Sequence, residues 1–334
     1  MESLPRRCLD SSKASELEHR NLDRFLSETT RVAVLIPCFN EEAAVATVVS
    51  GFKAALPTAK IYVFDNNSTD ETARVAAAAG ALVRKESLQG KGNVVRRMFA
   101  DIDADVYVMV DGDSTYDPRC AESMVKLLLS ERLDMVVGTR VASNDAAYRR
   151  GHRFGNRLLT MAVSHLFGNR FSDMLSGYRV FSRRFVKSFP AMSSGFETET
   201  ELTIHALELC LPVAEVETPY AVRGEGSASK LQTYSDGLKI LRLILVLYKN
   251  ERPLQFFCAI ASILCAIALA LGIPLVVTFI ETGLVFRQPT AILATGLVLL
   301  SALSFVTGLI LDTVTRGRRE MRRLAYLSIK PPSA

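Results

Sequence analysis

Cysteine is scarce in this chain, and no two cysteines are spaced as a metal-binding pair. The 334-residue sequence contains six of them, scattered and without a CxxC motif. Cys258 and Cys265 lie inside a long apolar run. Because zinc sites and disulfide frameworks are recognised by regularly spaced cysteines, we expect neither in this protein.

Charge is absent from two long stretches near the C-terminus. Residues 256–280 and 289–311 contain no charged side chain, and each stretch is long enough to cross a hydrocarbon core of about 30 Å, which needs about 20 residues. A buried helix of a soluble protein is the alternative, but two such runs separated by a short turn favour a pair of membrane helices. Pro274 is compatible with a span because membrane helices tolerate proline.

The charges that flank these stretches predict an orientation. Basic residues are concentrated on the two outer flanks, at Lys249, Arg252, Arg316, Arg318, Arg319, Arg322 and Arg323. The turn between the stretches carries only Glu281 and Arg287. The positive-inside rule places both flanks in the cytosol, and the absence of a secretory signal keeps the preceding domain there as well. We therefore expect a two-span protein, suited to a bacterial inner membrane, with both termini cytosolic.

The net charge of +5 is largely due to the arginine-rich tail, which indicates anionic lipid rather than nucleic acid as a partner. The expected organisation is a peripheral segment at 1–30, a catalytic domain at 31–234, an interfacial amphipathic helix at 235–254, two spans within 255–312 and a basic cytosolic tail at 313–334.

The segment from residue 31 alternates apolar runs with helical periodicity. Residues 32–37, 61–65, 81–85, 106–111 and 135–140 are expected to be buried strands, and three apolar stripes between them predict helices. Ser68 and Glu71 form a capping-box pattern for the helix after the second strand. Strands that alternate with crossover helices predict an α/β fold with a mostly parallel, Rossmann-like sheet, in which ligands bind beyond the carboxyl ends of the strands.

Polar clusters follow the strands at that edge. The fourth strand ends in Asp111 and Asp113, two oxygen ligands of the kind that Mg²⁺ or Mn²⁺ prefers, with Thr115 as a candidate third ligand. Gly90, Lys91 and Gly92 offer close backbone approach and an ammonium group for a diphosphate. The Walker spacing is absent.

Seven motifs occur along the chain in a fixed order: VLIPCFNEE, DNNSTDET, GKGN, VDGDST, GTR, DMLSGYRVFSRR and VRGEGSASK. In order and spacing they resemble inverting nucleotide-sugar transferases of the GT-A fold, and most closely the polyprenyl-phosphate glycosyltransferases, such as dolichyl-phosphate mannose synthases. The resemblance covers residues 31–252, and the two C-terminal spans match the bacterial branch in arrangement.

The resemblance implies a role for each matching residue. The donor site would comprise Pro37, Asn40, Glu41, Asp65, Lys91, Asp111, Gly112, Arg223, Ser229 and Lys230. The metal would be held by Asp111 and Asp113, assisted by Thr115, where family members often carry glutamine. The catalytic set would be Asp111, Asp113, Arg140, Arg223 and Lys230, with the segment around Arg223 as a mobile loop that closes over the donor.

A lipid phosphate is a plausible acceptor on physical grounds. A phosphomonoester is already anionic at pH 7, so it needs orientation rather than a base to remove a proton, and guanidinium groups provide that orientation. The acceptor-phosphate residues are expected to be Arg140, Arg153, Arg157, Ser176 and Arg179, with Asp173 ordering the site.

The expected function is transfer of a sugar, preferably from a UDP-sugar, to a polyprenyl phosphate with inversion, for cell-envelope glycan or lipid modification. A homo-oligomer is compatible with this function. One alternative is a membrane polysaccharide synthase or a transferase to another lipid or glycan; a synthase needs a QxxRW-like motif and more spans, and this chain has no tryptophan. The non-enzymatic alternative is a membrane scaffold or binding module.

Overall fold

The computed structural model describes residues 6–7, 30–142, 161, 163, 171–193, 195, 197–221 and 245–330. The chain divides into two compact units. The first unit comprises Met1–Thr233 and Arg322–Ala334, and the second comprises Tyr234–Met321.

Within the described residues, the first unit is built on an eight-stranded sheet. Its strands are β1 (Arg6–Arg7), β2 (Val32–Cys38), β3 (Lys60–Asp65), β4 (Leu82–Lys85), β5 (Val106–Met109), β6 (Met135–Ala142), β7 (Arg179–Ser182) and β8 (Val213–Tyr220). The strand order is β1-β8-β6-β7-β5-β2-β3-β4. All pairings are parallel except those of β7, which runs antiparallel to β5 and β6. The mostly parallel α/β sheet expected from the sequence is therefore confirmed.

The helices described in this unit are α1 (Val45–Ala55), α2 (Thr72–Ala78), α3 (Lys91–Asp101), α4 (Cys120–Ser130), α5 (Arg183–Ser188) and α6 (Thr198–Glu208). The side chains that formed the three apolar stripes of the sequence are buried or partly buried in the structure. A hydrophobic core cluster joins α1, α2 and α4 to one face of the sheet, with Val34, Ile36 and Val63 on the strands. Phe99 of α3 contacts Tyr107 and Phe181 edge to face.

The parallel register brings the ends of three strands together. Cys38 is paired with Asp65 at the ends of β2 and β3, and Leu35 is paired with Met109 at the end of β5. The loops that follow these strands therefore start at the same edge of the sheet, where the sequence predicts the ligand site.

The second unit contains two long apolar helices, α7 (Pro253–Thr282) and α8 (Gln288–Leu327). Both are long and apolar enough to cross a membrane, and few of their apolar side chains are buried. Ser301 of α8 donates a hydrogen bond to the Ala261 carbonyl of α7, with 2.8 Å between the oxygens. A Cβ on Gly308 would lie 3.0 Å from Phe257 Cβ, so the absence of a side chain there lets the two helices pack closely.

Three local features were not expected from the sequence. β7 and β8 were not identified as strands, and Arg6–Arg7, in a segment expected to be peripheral, pairs with Val216 and Glu217 of β8. Helix α8 continues far beyond residue 311, and its last turns belong to the first unit. Residues 245–251 are helical; the rest of the amphipathic helix expected at 235–254 lies mostly outside the described residues.

Candidate active site

Carboxylates from three loops surround one buried thiol at the carboxyl edge of the sheet. Burial raises the pKa of Cys38 well above its ordinary value, and the carboxylates of Glu41, Asp65, Asp111 and Asp113 raise it further. These carboxylates come from separate motifs, after β2, β3 and β5. The edge is therefore strongly electronegative, as a site for a cation should be.

Asp113, in the loop after β5, is held by hydrogen bonds from Thr115. Asp113 is only 4% exposed, and its Oδ1 accepts hydrogen bonds from the Thr115 hydroxyl at 2.6 Å and from the Thr115 amide at 3.2 Å. The Thr115 hydroxyl is thus engaged by Asp113 itself. This contact orients the Asp113 carboxylate, and the direct metal contact expected of Thr115 stays a prediction.

Gly112 and Gly177 allow close packing around this loop, because neither has a side chain. A Cβ on Gly112 would lie 2.5 Å from Cys38 Sγ, and a Cβ on Gly177 would overlap the Asp111 carboxylate. Side chains at these positions would displace Cys38 or Asp111. The predicted donor residue Gly112 is therefore required by packing against β2 as well.

Lys91, the first residue of α3, reaches Asp111. Its ammonium lies 2.5 Å from Asp111 Oδ1 and also contacts Glu199 of α6. Burial alone would lower the pKa of Lys91, but the carboxylates of Asp111 and Glu199 outweigh burial and raise it. Lys91 is therefore a cation held in the site at every physiological pH.

The loops after β2 and β3 are joined by hydrogen bonds. The backbone N–H of Asn40 donates to Ser68 Oγ at 2.9 Å, and the Asn40 side-chain Oδ1 accepts from the backbone N–H of Thr69 at 2.8 Å. The backbone N–H of Glu41 donates to Thr72 Oγ1 at 2.8 Å. Asn40 has a positive φ of 53°, a conformation that asparagine tolerates better than most residues. The Asn40 side chain is thus used to set the shape of the predicted nucleotide pocket.

The capping box expected at Ser68 and Glu71 is wrong. Helix α2 begins at Thr72, and no side chain caps it from the Ncap residue, Glu71. Ser68 accepts from Asn40 instead, and Asp70 Oδ1 accepts from the Thr72 amide at 3.0 Å. The hydrogen bond between Ser68 and Asn40 of the β2 loop thus takes the place of the capping box that the local sequence pattern predicted.

Asn66 connects the β3 loop to the start of α3. Its side chain is 3% exposed, donates to the carbonyls of Glu86 and Leu88, and accepts from the Gly90 amide at 2.7 Å. These bonds fix the segment that ends at Lys91. Asn66 is not among the residues predicted from the sequence, because only the structure shows that its amide group is buried and bridges the two loops.

Arg140, at the β6 end, is held by Asp173. Its Nε and Nη2 donate to the two carboxylate oxygens of Asp173, each at 2.7 Å, and its guanidinium lies 5.6 Å from the Tyr220 ring centroid. Burial opposes ionisation of Asp173, but the contact with Arg140 outweighs it and lowers the Asp173 pKa. The expected ordering role of Asp173 agrees with this geometry.

Ser176 and Arg179 correct the set predicted for the acceptor phosphate. Both are fully buried. Ser176 Oγ donates to the Gly138 carbonyl at 2.5 Å, and the Arg179 guanidinium donates to the carbonyls of Met174 and Ser176 and to Thr203 Oγ1. Because the hydrogen-bonding groups of both side chains are engaged within the protein, we assign Ser176 and Arg179 to holding the segment 173–179 rather than to contact with a phosphate.

The remaining predicted residues lie outside the described part of the chain. They are Arg153 and Arg157 of the acceptor set and Arg223, Ser229 and Lys230 of the loop expected to close over the donor. Pro37 lies on β2 next to Cys38 and is partly exposed, as a residue lining a pocket should be.

Comparison with known proteins shows the family to which the chain belongs. The profile described as glycosyl transferase family 2 matches residues 33–189. An uncharacterised protein of Shigella flexneri is 59% identical over 157 residues, which are 47% of this chain and 96% of that protein. Glycosyltransferase AglJ of Haloferax volcanii is 31% identical over 299 residues, 89% of this chain and 98% of that protein. The chain belongs to glycosyl transferase family 2.

Two further similarities bear on this family 2 member. The dolichyl-phosphate hexose transferase of Haloferax volcanii is 26% identical over 221 residues, 66% of this chain and 95% of that protein. The crystal structure of glucosyl-3-phosphoglycerate synthase from Mycobacterium tuberculosis with Mn²⁺, UDP-glucose and phosphoglyceric acid is similar in fold, with a TM-score of 0.57 and 23% identity, covering 74% of this chain and 88% of that chain. The protein is a glycosyltransferase with the GT-A fold expected from its motifs.

The site of this family 2 enzyme fits a divalent cation that is shared with a ligand. Among the described residues, no group of three or more histidine, cysteine, aspartate or glutamate side chains forms a complete metal cage. Asp111 and Asp113 instead offer carboxylate oxygens beside a lysine. Mg²⁺ and Mn²⁺ sites commonly take one or two carboxylates from the protein and the remaining ligands from water and substrate phosphates.

Proposed function

We propose that the protein transfers a sugar from a nucleotide-diphosphate sugar, preferably a UDP-sugar, to a polyprenyl phosphate at the cytosolic face of a membrane, with inversion at the anomeric carbon. The observation that carries the proposal is the convergence of Asp111, Asp113 and Lys91 at the carboxyl edge of the sheet, in a chain that also contains two helices of membrane-spanning length.

The donor half of the proposal rests on charge. Asp111 and Asp113 would hold Mg²⁺ or Mn²⁺, which supplies positive charge to a departing nucleotide diphosphate when bound. Lys91 adds a second cation at the start of α3, and Asn66 and Gly90 fix its position. The predicted donor residues Pro37, Asn40, Glu41, Asp65 and Gly112 line the same edge, and Arg223, Ser229 and Lys230 are proposed to cover it. The synthase from Mycobacterium tuberculosis, which shares the fold, was crystallised with Mn²⁺ and UDP-glucose.

The acceptor half rests on Arg140 and on the apolar helices. Arg140 is held at the end of β6 by the paired hydrogen bonds to Asp173, so its position is fixed before a ligand arrives. We place the acceptor phosphate near Arg140, with Arg153 and Arg157 as further donors. A relative acts as a dolichyl-phosphate hexose transferase, and two membrane spans would keep this chain beside a lipid substrate.

The test is a donor and acceptor screen. Purified full-length protein in detergent is incubated with UDP-sugars and GDP-sugars, Mn²⁺ or Mg²⁺, and undecaprenyl or dolichyl phosphate. The expected result is release of a nucleoside diphosphate together with a sugar-labelled lipid, both dependent on the lipid phosphate. If labelled sugar reaches a glycan but not the lipid, the acceptor is wrong; if no nucleotide sugar is consumed with any acceptor, the whole proposal is wrong.

Asp113→Asn tests the metal assignment. The amide keeps the size and the hydrogen bond from Thr115 but removes the negative charge, so metal-dependent turnover should fall by at least about a hundredfold. The thermal unfolding midpoint should remain close to that of the wild type. An equivalent charge removal at exposed Glu42, Glu42→Gln, is the control. Undiminished turnover in Asp113→Asn would show that Asp113 holds no catalytic metal.

A further inference from the structure

Lys91 contacts two carboxylates that differ in exposure. The side chain of Glu199 is 6% exposed, whereas that of Asp111 is 30% exposed, and the Lys91 side chain between them is 12% exposed. One partner of the ammonium therefore lies in the protein interior, and the other lies at the open side of the site.

The interior partner is fixed by the packing of two helix starts. A Cβ on Gly92 would overlap the Ser193 carbonyl and lie 2.8 Å from Thr198 Oγ1, so α3 approaches the segment that leads into α6 as closely as a glycine allows. Glu201 accepts hydrogen bonds from the amides of Met192 and Ser193, each at 2.9 Å. Glu199, in the first turn of α6, therefore lies on a segment that packs directly against the start of α3.

The open-side partner is the residue that would bind a cation. Lys91 and a divalent ion are both attracted to the Asp111 carboxylate, and Asp111 Oδ1 lies 2.5 Å from the Lys91 ammonium. If Lys91 moved away from Asp111 and had no second partner, its ammonium would be a buried and uncompensated charge, which is strongly unfavourable. Glu199 supplies that second partner.

We propose that Glu199 is a positioning residue that retains Lys91 in the site when Asp111 exchanges the ammonium for a divalent cation. This inference rests on the proposed function. Lys91 has three N–H donors. Once released from Asp111 and still paired with Glu199, Lys91 has a donor free for the diphosphate, so that cation binding and diphosphate recognition are coupled through one side chain.

The test is a double-mutant cycle on cation affinity, measured with MnCl₂ alone by titration calorimetry and by electron paramagnetic resonance. Lys91→Met removes the competitor and should raise Mn²⁺ affinity several-fold. Glu199→Gln leaves displaced Lys91 without its partner and should lower Mn²⁺ affinity by about tenfold, which is within the usual range for coupled neighbours. In the Lys91→Met background, Glu199→Gln should change the Mn²⁺ affinity by less than about twofold, because no ammonium remains for Glu199 to retain. The two substitutions should therefore be non-additive, as is usual for residues in contact.

Glu197→Gln is the matched control. It removes the same charge from the start of α6 at an exposed position, and it should change Mn²⁺ affinity by less than about twofold in both backgrounds because exposed charges are screened. Thermal unfolding confirms that each variant is folded. If Glu199→Gln does not fold, Glu199→Asp, which keeps the charge but shortens the reach to Lys91, should also lower Mn²⁺ affinity, and only when Lys91 is present.

The outcomes separate this inference from the proposed function. Equal effects of Glu199→Gln in both Lys91 backgrounds would overturn the inference and reduce Glu199 to a general source of negative charge. No effect in either background would make Glu199 structural only. A wild-type protein that binds neither Mn²⁺ nor UDP would overturn the proposed function and the inference with it, whereas binding of both with an additive cycle would overturn the inference alone.

Discussion

Thr115 and Asp113 form a unit at the level of single residues. Thr115 is 1% exposed, and its hydroxyl donates to Asp113 Oδ1 at 2.6 Å. A carboxylate that accepts such bonds keeps one orientation, and orientation is what a small cation requires of its ligands. We therefore expect the Thr115 hydroxyl to contribute more to cation binding than to the stability of the fold.

Thr115→Val tests this point. Valine keeps the shape but removes the donor, so Mn²⁺ affinity should fall by about tenfold, as for other changes to groups that orient metal ligands. The free energy of unfolding should fall by only about 1 kcal/mol. Thr115→Ser retains the hydroxyl and is the control. Titration calorimetry and thermal unfolding provide the two readouts, and equal behaviour of the two variants toward Mn²⁺ would contradict the supporting role.

Residue types alone predicted much of the edge but not which polar groups point inward. Asp111, Asp113, Lys91 and Asp65 lie together, because the ends of parallel strands must meet. Arg179 has the side chain of a phosphate ligand, yet the fold buries it completely and uses its donors on backbone carbonyls. Sequence cannot distinguish these two uses of an arginine, since the difference lies in the side chains that surround it.

Helix α6 contributes side chains both to the candidate active site and to the core. Its first turn carries Glu199, while His205, two turns later, packs edge to face against Phe185 and Phe189. His205 is 1% exposed, and its Nε2 lies 3.3 Å from Ser188 Oγ. Burial and, to a smaller extent, the nearby Arg322 lower the pKa of His205 to about 4, with Glu208 opposing the shift.

This pKa predicts a pH dependence of stability. The unfolded chain binds a proton at its ordinary pKa near 6.5, whereas the folded chain does not until about pH 4. The contribution is therefore fully present above about pH 6.5 and is lost as pH falls toward 4, by about 3 kcal/mol in total. His205→Gln should remove this part of the acid destabilisation. The measurement is the drop in thermal midpoint between about pH 7 and about pH 4.5, and an equal drop in both proteins would contradict the assignment.

At the element scale, apolar runs predicted five strands, because strands buried on both faces are apolar almost throughout. β7 and β8 were not predicted because their sequences do not meet this criterion. β7 begins at Arg179, and β8 contains Glu215, Glu217 and Pro219. Their positions depend on pairing with β6, which joins distant parts of the chain. Non-local pairing of this kind leaves little trace in a short sequence window.

At the scale of the whole molecule, the first unit is completed by the end of α8. Arg322 pairs with Glu208, whose side chain is fully buried. Tyr326 donates to Asp134 Oδ2 at 2.8 Å, and its ring centroid lies 4.9 Å from the Arg184 guanidinium carbon. The tail expected to be only a basic cytosolic segment therefore also contributes structural contacts.

Arg322→Gln should destabilise the first unit. The change removes a guanidinium from a buried carboxylate, and hydrogen bonds to charged groups contribute about 2 kcal/mol each. Arg323→Gln, at the exposed neighbouring position, carries the same charge change and should have little effect. Circular dichroism during heating in detergent measures both variants. Equal thermal midpoints would show that the Arg322 contact contributes nothing to stability.

The orientation of the two apolar helices is tested by reporter fusions. An alkaline phosphatase, which is active only outside the cytosol, should be active when inserted in the turn at Gly283 and inactive when fused after residue 330. A fluorescent protein that matures in the cytosol should show the opposite pattern. Activity of the phosphatase at both places would contradict the two-span topology expected from the flanking arginines.

The contacts of Arg322 and Tyr326 have a consequence for synthesis. The unit that contains the sheet is made from two segments of chain, and both long uncharged stretches are encoded between them. A ribosome must therefore complete both uncharged stretches, 256–280 and 289–311, before Arg322 and Tyr326, the residues that cover Glu208 and Asp134, are made. The contacts of Arg322 and Tyr326 therefore form only after both uncharged stretches have been synthesised, an order set by the chain alone.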